Sequence, residues 1–345
     1  MLSVKEEGMR ADERFIARLS GKEMDRMPII ENSIWWGKTI DRWHGEGLTA
    51  APNYNYYMRE AMEIQDYFGL DLLANWWIKP FTERTPFAQV VGAGMGAVTM
   101  EKYEKQLLPT LYPELHMDPD FIRLIRKHKQ KGDLILELIV DGPFWEPREY
   151  MGIEPHLFAF YDEPELYHRM VYDLKEWQKR VVDYAMNTLP FDYVTVAEDM
   201  SYNNGPMLSR EHFNTFLAPY YREMVPFFKQ YGLKVLVDSD GDISEAIEWF
   251  NGVGVEGYHP LEKQAGVDVN SLTARYPDTA FIGNFDKMVM HRGEKALREE
   301  FERLLPCIRK GRYVVSVDHQ TPPSVGLEDY KTYVKLLKEY AGRQN

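Results

Sequence analysis

Five short apolar runs in the second half of the chain end in acidic or histidine residues. They are YVTVAEDM (Glu198, Asp199), KVLVDSDGD (Asp238, Asp240), VEGYHPLE (His259, Glu262), AFIGNFDK (Asp286) and YVVSVDHQTP (Asp318, His319). Apolar runs bounded by turn residues predict buried strands. Buried parallel strands that carry polar groups at their C-terminal ends are how a (β/α)8 barrel builds an active site. Three earlier runs extend the rhythm, so strands are expected at roughly 27–35, 71–78, 135–141, 193–200, 234–240, 255–262, 280–287 and 313–319.

Helical patterns lie between most of these runs. DEPELYHRMVYDLKEWQKRVVDYAMNTL (162–189) starts acidic and carries an apolar face at three- and four-residue spacing. Further helices are expected from Ser209 to Gly232, after Ser244, and over EKALREEFERLLPCIRKG, ending at Gly311. Strand–helix alternation implies a parallel sheet with helical crossovers. The expected fold class is therefore α/β, a (β/α)8 TIM barrel with an N-terminal decoration. A single domain is expected over 1–345, with a helical extension over 1–26. The Gly-rich GAGMG at 92–96 sits among threonine, valine and tyrosine and reads as a β-hairpin insertion rather than a phosphate loop. No GxGxxG follows an early strand, and no GxxxxGK[ST] is present.

Composition narrows the function. With 345 residues, 44% of them hydrophobic, the chain can bury a large core. A net charge of −13 disfavours a nucleic-acid partner. The single cysteine, Cys307, rules out an intrachain disulfide and a cysteine-based zinc site, and it reads as a packed thiol in a helix. MLSVKEEGMRADERF is charged and lacks the apolar core of a signal peptide. No run approaches the roughly 18 apolar residues of a membrane span. A cytoplasmic location is the expectation.

Asp238 and Asp240 straddle Ser239 at the end of an apolar run, so in a strand they face the same way, and Gly241 then allows a sharp turn. Such a DxDG unit can ligate a metal or pair an acid with a base; the alternative is a turn in which Asp242 or Ser244 caps the next helix. His259 ends the following strand, where a neutral imidazole beside carboxylates would suit Zn²⁺. Glu198 and Asp199 are consecutive, so only one can face a barrel interior, and the loop after them offers Tyr202 and Asn204. Asp71 ends an apolar stretch and reads as a substrate contact or a turn residue. Trp35, Trp36 and Trp43 with His44 read either as core or as the wall of an aromatic pocket. His319 precedes Gln320 and two prolines, a rigid mouth loop, and is a further substrate-binding candidate.

In order along nearly its whole length, the chain resembles the uroporphyrinogen decarboxylase superfamily. The resemblance rests on TIDRWHGEGL, YFGLD, GPFWEPREYMG, EDMSYNNGPMLSREHFNTFLAPYY, VDSDGD, HPLEKQAGVDV, GNFDK and SVDHQTPPSVGLEDYKTYVKLL. The decarboxylases of that superfamily carry an arginine-rich RQAGRY-type segment, where this chain has IWWGKTIDRW. Its thiol methyltransferases carry an HxC zinc motif, where this chain has Asp238-Ser239-Asp240. The chain is most similar to the corrinoid-dependent methyltransferases of aromatic O-demethylase systems. Their carboxylate–carboxylate–histidine zinc motif has 14 and then 20 intervening residues, the spacing of Glu223, Asp238 and His259 here. Glu223 itself falls inside an apparent helix.

The resemblance implies a methyltransferase that takes a methyl group from a small-molecule donor, an aryl methyl ether, and passes it to a Co(I) corrinoid on a partner protein. Phenolate is a moderate leaving group, with a pKa of about 10. A zinc ion on Asp238, His259 and Glu223 would act on the ether oxygen as a Lewis acid; otherwise Glu198, Asp199 or Tyr202, with Asp240, would serve as catalytic acids. Trp35, Trp36, Asp71 and His319 would bind the donor. Neither a nucleic acid nor a membrane is an expected partner; a homodimer is. The alternatives are a decarboxylase of a porphyrinogen-type acid and a non-catalytic barrel that only handles a corrinoid protein.

Overall fold

The computed structural model of the protein describes residues 8–54, 58–86 and 94–343. Nine strands occur among them: β1 (Leu72–Trp77), β2 (Leu134–Asp141), β3 (Tyr193–Ala197), β4 (Ser201–Tyr202), β5 (Gly205–Pro206), β6 (Lys234–Asp238), β7 (Gly257–His259), β8 (Ala280–Phe285) and β9 (Tyr313–Val317). Seven of them form one sheet in the order β1-β2-β3-β6-β7-β8-β9, and β4 pairs antiparallel with β5. Every residue of β2, β3, β8 and β9 is buried, as expected of parallel strands with both faces covered. The fold is α/β, of the (β/α)8 TIM-barrel type.

The chain divides into two compact units. The first comprises Met1–Ala74, Arg123–Leu136 and His259–Asn345. Within it β8 and β9 run parallel, with Asn284 opposite Ser316. The strand expected over 27–35 is not formed. The segment nevertheless bonds on both sides: the Asp71 amide donates to Ile29 O (2.8 Å), and the Asn32 amide donates to Ser316 Oγ (2.9 Å). Side chains there do the work of a ladder, because Glu31 turns inward and accepts from Ser316 Oγ (2.6 Å) and Tyr330 Oη (3.0 Å). Of the extension over 1–26, Ala11–Leu19 is a helix. Its buried Arg18 donates to Ile308 O (2.7 Å) near the end of helix Gly293–Arg309, where the orphan carbonyls of a helix need a donor. In that helix Cys307 is buried against Thr273 and Asn270, and burial pushes its thiol pKa up, as a packed thiol requires.

The second unit comprises Asn75–Ile122 and Glu137–Tyr258. Strands β2, β3 and β6 run parallel in a register that sets Asp141, Ala197 and Asp238 side by side. That register brings Glu198, Asp199 and Asp240 to one level just beyond the strand ends. The long helix expected over 162–189 spans Pro164–Thr188. The helix expected from Ser209 is capped by the Ser209 hydroxyl, which accepts from the His212 amide. The insertion expected at 92–96 falls partly outside the described residues; 94–98 form no strand, and 100–107 are helical. The small hairpin β4–β5 lies elsewhere, in the loop after β3.

Four buried carboxyls set a pH dependence. Burial raises Glu31, Glu137 and Glu198 to about 7 and Asp318 to about 6. As pH rises from about 4.5, the unfolded chain ionises first. The folded chain then holds more protons, and stability falls until these folded values are passed. Asp25, held at about 2 by Arg14, acts oppositely: its contribution is lost only as pH falls towards that value. The thermal midpoint should therefore decline between about pH 5 and pH 8, and Glu137→Gln should make the decline shallower. An identical slope in wild type and variant would refute this.

Candidate active site

The sharpest local feature of the second unit is the turn after β3. Glu198 is fully buried. Its Oε2 accepts from the Phe144 amide (2.8 Å), and its other oxygen accepts from the Tyr221 hydroxyl. Both oxygens are thereby committed to holding the loop that follows β2. The next residue, Asp199, has φ +44, a left-handed conformation that non-glycine residues rarely adopt. It is half-exposed, and its carboxylate and carbonyl are gripped together by Arg148: Nη2 to Oδ2 at 2.9 Å and Nη1 to the carbonyl at 2.7 Å. Its Oδ1 accepts from the Asp240 amide (3.2 Å). Burial and the neighbouring Asp240 carboxylate raise the Asp199 pKa above the usual carboxylate range, against the opposing pull of Arg148. Gly241 has φ +76, and a Cβ there would overlap the Tyr202 backbone, so hairpin β4–β5 closes down on this turn. The Asp242 amide donates to Tyr202 O (3.0 Å), and Tyr202 itself is exposed.

Two cations share one tryptophan beside this turn. The Arg148 guanidinium carbon lies 4.2 Å from the Trp145 ring centroid, and Lys79 Nζ lies 5.7 Å from it. Lys79 also sits over Trp77 at 3.4 Å and donates to Asp141 Oδ1 (3.1 Å), which accepts from Trp77 Nε1 as well (2.8 Å). Buried Glu146 stands behind Asp141; burial first and the Asp141 charge second raise its pKa well above the carboxylate range. The result is an aromatic surface flanked by ion pairs, with a protonatable acid, Asp199, at its edge.

The first unit holds a second polar group. His259 is buried, and its Nδ1 lies 3.0 Å from Asn32 Nδ2. With the amide in this orientation Nδ1 accepts and Nε2 carries the proton. Asp318 accepts from the Lys263 amide (3.0 Å) and the Lys287 amide (3.2 Å), so it is a loop anchor. Lys287 Nζ reaches Glu262 at 3.3 Å.

Residues 97–340 match the uroporphyrinogen decarboxylase (URO-D) family, well over half of the chain. The protein belongs to the URO-D family. A uroporphyrinogen decarboxylase from Hydrogenobaculum sp. is 30% identical over 91 residues, which is 26% of this chain and 26% of that protein. A solved methyltransferase from Methanosarcina mazei has a TM-score of 0.68 at 15% identity, covering 96% of this chain and 99% of that one, so the two share a fold.

Against this URO-D framework several expected residues take other places. Glu223 is on the outer face of helix Ala218–Gln230, bound by Lys175 (2.5 Å) and Lys179. Those two cations hold its pKa below the ordinary value. Among the described residues no group of three or more His, Cys, Asp or Glu stands close enough to hold a metal ion. The Glu223 carboxylate is therefore committed to two lysines on the outer helix face and leaves the expected zinc set; Asp238 and His259 end neighbouring strands of the sheet. Glu223→Gln should leave turnover within about twofold and stability within about 1 kcal/mol, as for other exposed ion pairs; loss of activity in that variant would restore Glu223 to the site. Asp71 is also reassigned. It binds Arg26 through both carboxylate oxygens (2.7 and 2.5 Å) and accepts from the Ile29 amide, a clamp on the N-terminal segment rather than a substrate contact. Trp35 is fully buried against Trp43, Phe68 and Tyr330, so it is core, whereas Trp36 remains exposed. His319 is half-buried in the bend after β9.

Sequence reasoning passed over Lys79, Asp141, Glu146, Arg148 and Asn32. The signal for two of them was available: GPFWEPREYMG holds Glu146 and Arg148 one turn past a strand end.

Proposed function

We propose that this URO-D family protein demethylates an aryl methyl ether and passes the methyl group to the reduced corrinoid of a partner protein. The observation that carries this reading is Asp199, a half-exposed carboxyl with raised pKa, fixed by Arg148 beside an aromatic surface. Breaking the aryl ether consumes one proton, since the departing phenolate becomes a phenol. Asp199 supplies that proton to the ether oxygen as the methyl group leaves. Arg148 orients Asp199, and Trp145 with Trp77 offers apolar surface to the donor ring. Methyl acceptance belongs to the Co(I) centre of the partner, which has to approach along the line of the breaking bond. No step is assigned to zinc; zinc analysis of the purified protein and of Asp238→Ala and His259→Ala tests whether a metal sits at these residues.

A decarboxylase of a polycarboxylic tetrapyrrole is the second reading, favoured by the family itself. The ion pairs argue against it. A substrate with many carboxylates needs unneutralised cations, whereas Arg148 is engaged by Asp199 and Lys79 by Asp141. The deciding experiment incubates the protein with a reduced corrinoid protein and aryl methyl ethers, methanol or methylamines, in parallel with a porphyrinogen. Corrinoid methylation from aryl ethers alone supports the proposal. Release of CO2 from the porphyrinogen without any methylation would overturn it.

A further inference from the structure

Two described cations flank the aromatic surface, and they are not equally enclosed. The Lys79 side chain is 34% exposed, and its Nζ lies between two indoles, 3.4 Å from the Trp77 centroid and 5.7 Å from the Trp145 centroid. An ammonium carries three N–H donors. Asp141 Oδ1 accepts from one of them (3.1 Å), and the face of Trp77 covers another. The third is left for the exposed side. Arg148 is only 12% exposed, and its Nη1 and Nη2 both bond Asp199 already.

Lys79 has a donor to give, but its charge is already matched. Asp141 ends β2 with a fully buried side chain, and the Oδ1 that meets Lys79 also accepts from Trp77 Nε1 (2.8 Å). A buried carboxylate held in this way cannot turn to water and release its ammonium. An incoming carboxylate would share Lys79 with Asp141, which puts two anions on one cation, or would draw Lys79 away and strand a buried charge. An uncharged oxygen meets neither cost. It accepts the third N–H and leaves the Lys79–Asp141 pair intact.

We propose that the Lys79–Asp141 pair selects the donor by its ring substituent: Lys79 bonds one uncharged oxygen on the ring, and Asp141 turns ring carboxylates away. The donor is then a methoxyphenol rather than a methoxybenzoate. A phenol hydroxyl, with a pKa of about 10, is neutral at pH 7, whereas a carboxyl with a pKa of about 4 is ionised. The inference rests on the proposed methyl transfer for the methyl ether itself. The preference for a neutral oxygen comes from Lys79 and Asp141 alone.

The test compares the ring isomers of methoxyphenol and of methoxybenzoate with anisole, which lacks both substituents. Each is assayed in corrinoid methylation and, without the corrinoid protein, by calorimetric binding. In wild type the best methoxyphenol should exceed both anisole and the best methoxybenzoate by about tenfold or more, the range of one hydrogen bond to a charged donor. Asp141→Asn keeps an oxygen for Trp77 Nε1 and leaves the Lys79 charge unmatched. Burial, the larger cause, still holds the Glu146 pKa well above the carboxylate range, so Glu146 does not replace the lost charge. Methoxybenzoate binding should therefore rise by about tenfold or more in Asp141→Asn, a gain that a misfolded protein cannot give. Lys79→Met should bring methoxyphenol and anisole within about twofold of each other. A wild type that prefers a methoxybenzoate, or an Asp141→Asn protein without the gain, would overturn the inference. Binding in the expected pattern with no ether demethylated would support the inference and remove the methyl-transfer reading.

Discussion

Asp199→Asn is expected to slow methyl transfer by about two to four orders of magnitude and to lower stability by only about 1 kcal/mol. The choice of asparagine matters. Asp199 sits at φ +44, and asparagine tolerates the left-handed region better than other non-glycine residues. The amide oxygen can still accept from Arg148 Nη2, which bonds Asp199 Oδ2 at 2.9 Å in the wild type. The substitution keeps the turn and the Arg148 Nη2 contact and removes the proton, at the cost of the ion-pair charge and of the acceptor for the Asp240 amide. Asp199→Ala would mix that loss with backbone strain. If Asp199→Asn transfers methyl groups within about twofold of the wild-type rate, the proton comes from another group. KM for the aryl ether should change little, because the aromatic surface around Trp145 is untouched.

The largest stability effect is expected from Gly142→Ala. Gly142 follows β2, and its amide donates to Ala197 O at 2.7 Å. A Cβ at this position would overlap Oε2 and the carboxyl carbon of Glu198. Glu198 cannot step aside, because it is fully buried and accepts from the Phe144 and Trp145 amides and the Tyr221 hydroxyl. Displacing it leaves those donors unpaired in a dry interior, a loss of about 3 kcal/mol or more. Urea denaturation measures it. The double variant Gly142→Ala/Glu198→Ala should cost clearly less than the sum of the two single variants, because both changes strip the same donors of the Glu198 carboxyl. A Gly142→Ala protein as stable as wild type would show that the loop relaxes freely. Trp145 and Arg148 lie on the same loop and the helix after it, so activity should fall with stability in the single variant.

Much of the fold was legible because parallel strands leave a strong trace. The runs ending at Asp141, Ala197, Asp238, His259, Phe285 and Val317 are apolar and turn-bounded, and each is a strand. Residues 27–35 looked the same and are not a strand. Their backbone partners include the Ser316 side chain, and a side-chain bond leaves no period in the sequence. The site was legible in part. Asp199 and Asp240 could be named from their position at strand ends, and they do meet in one turn. Glu223 had the right spacing for a metal motif, but spacing along a chain does not say which face of a helix a residue takes, and Lys175 and Lys179 hold it outside. Lys79 and Glu146 stayed hidden because charged side chains in loops and helices usually mark a solvated surface.

Strand positions and the acids at their ends follow from local patterns of apolar and turn residues, so they can be read along the chain. Which of those acids is buried, paired or strained depends on neighbours distant in sequence. Asp199 meets Arg148 from 51 residues away, and Glu198 meets Phe144 from 54. A carboxyl's proton affinity depends on burial and on charges within a few ångströms, and both exist only once the chain has folded. The ring of strand-end acids could therefore be drawn from the sequence, while the division of labour within it, Glu198 as anchor and Asp199 as the accessible acid, came from packing.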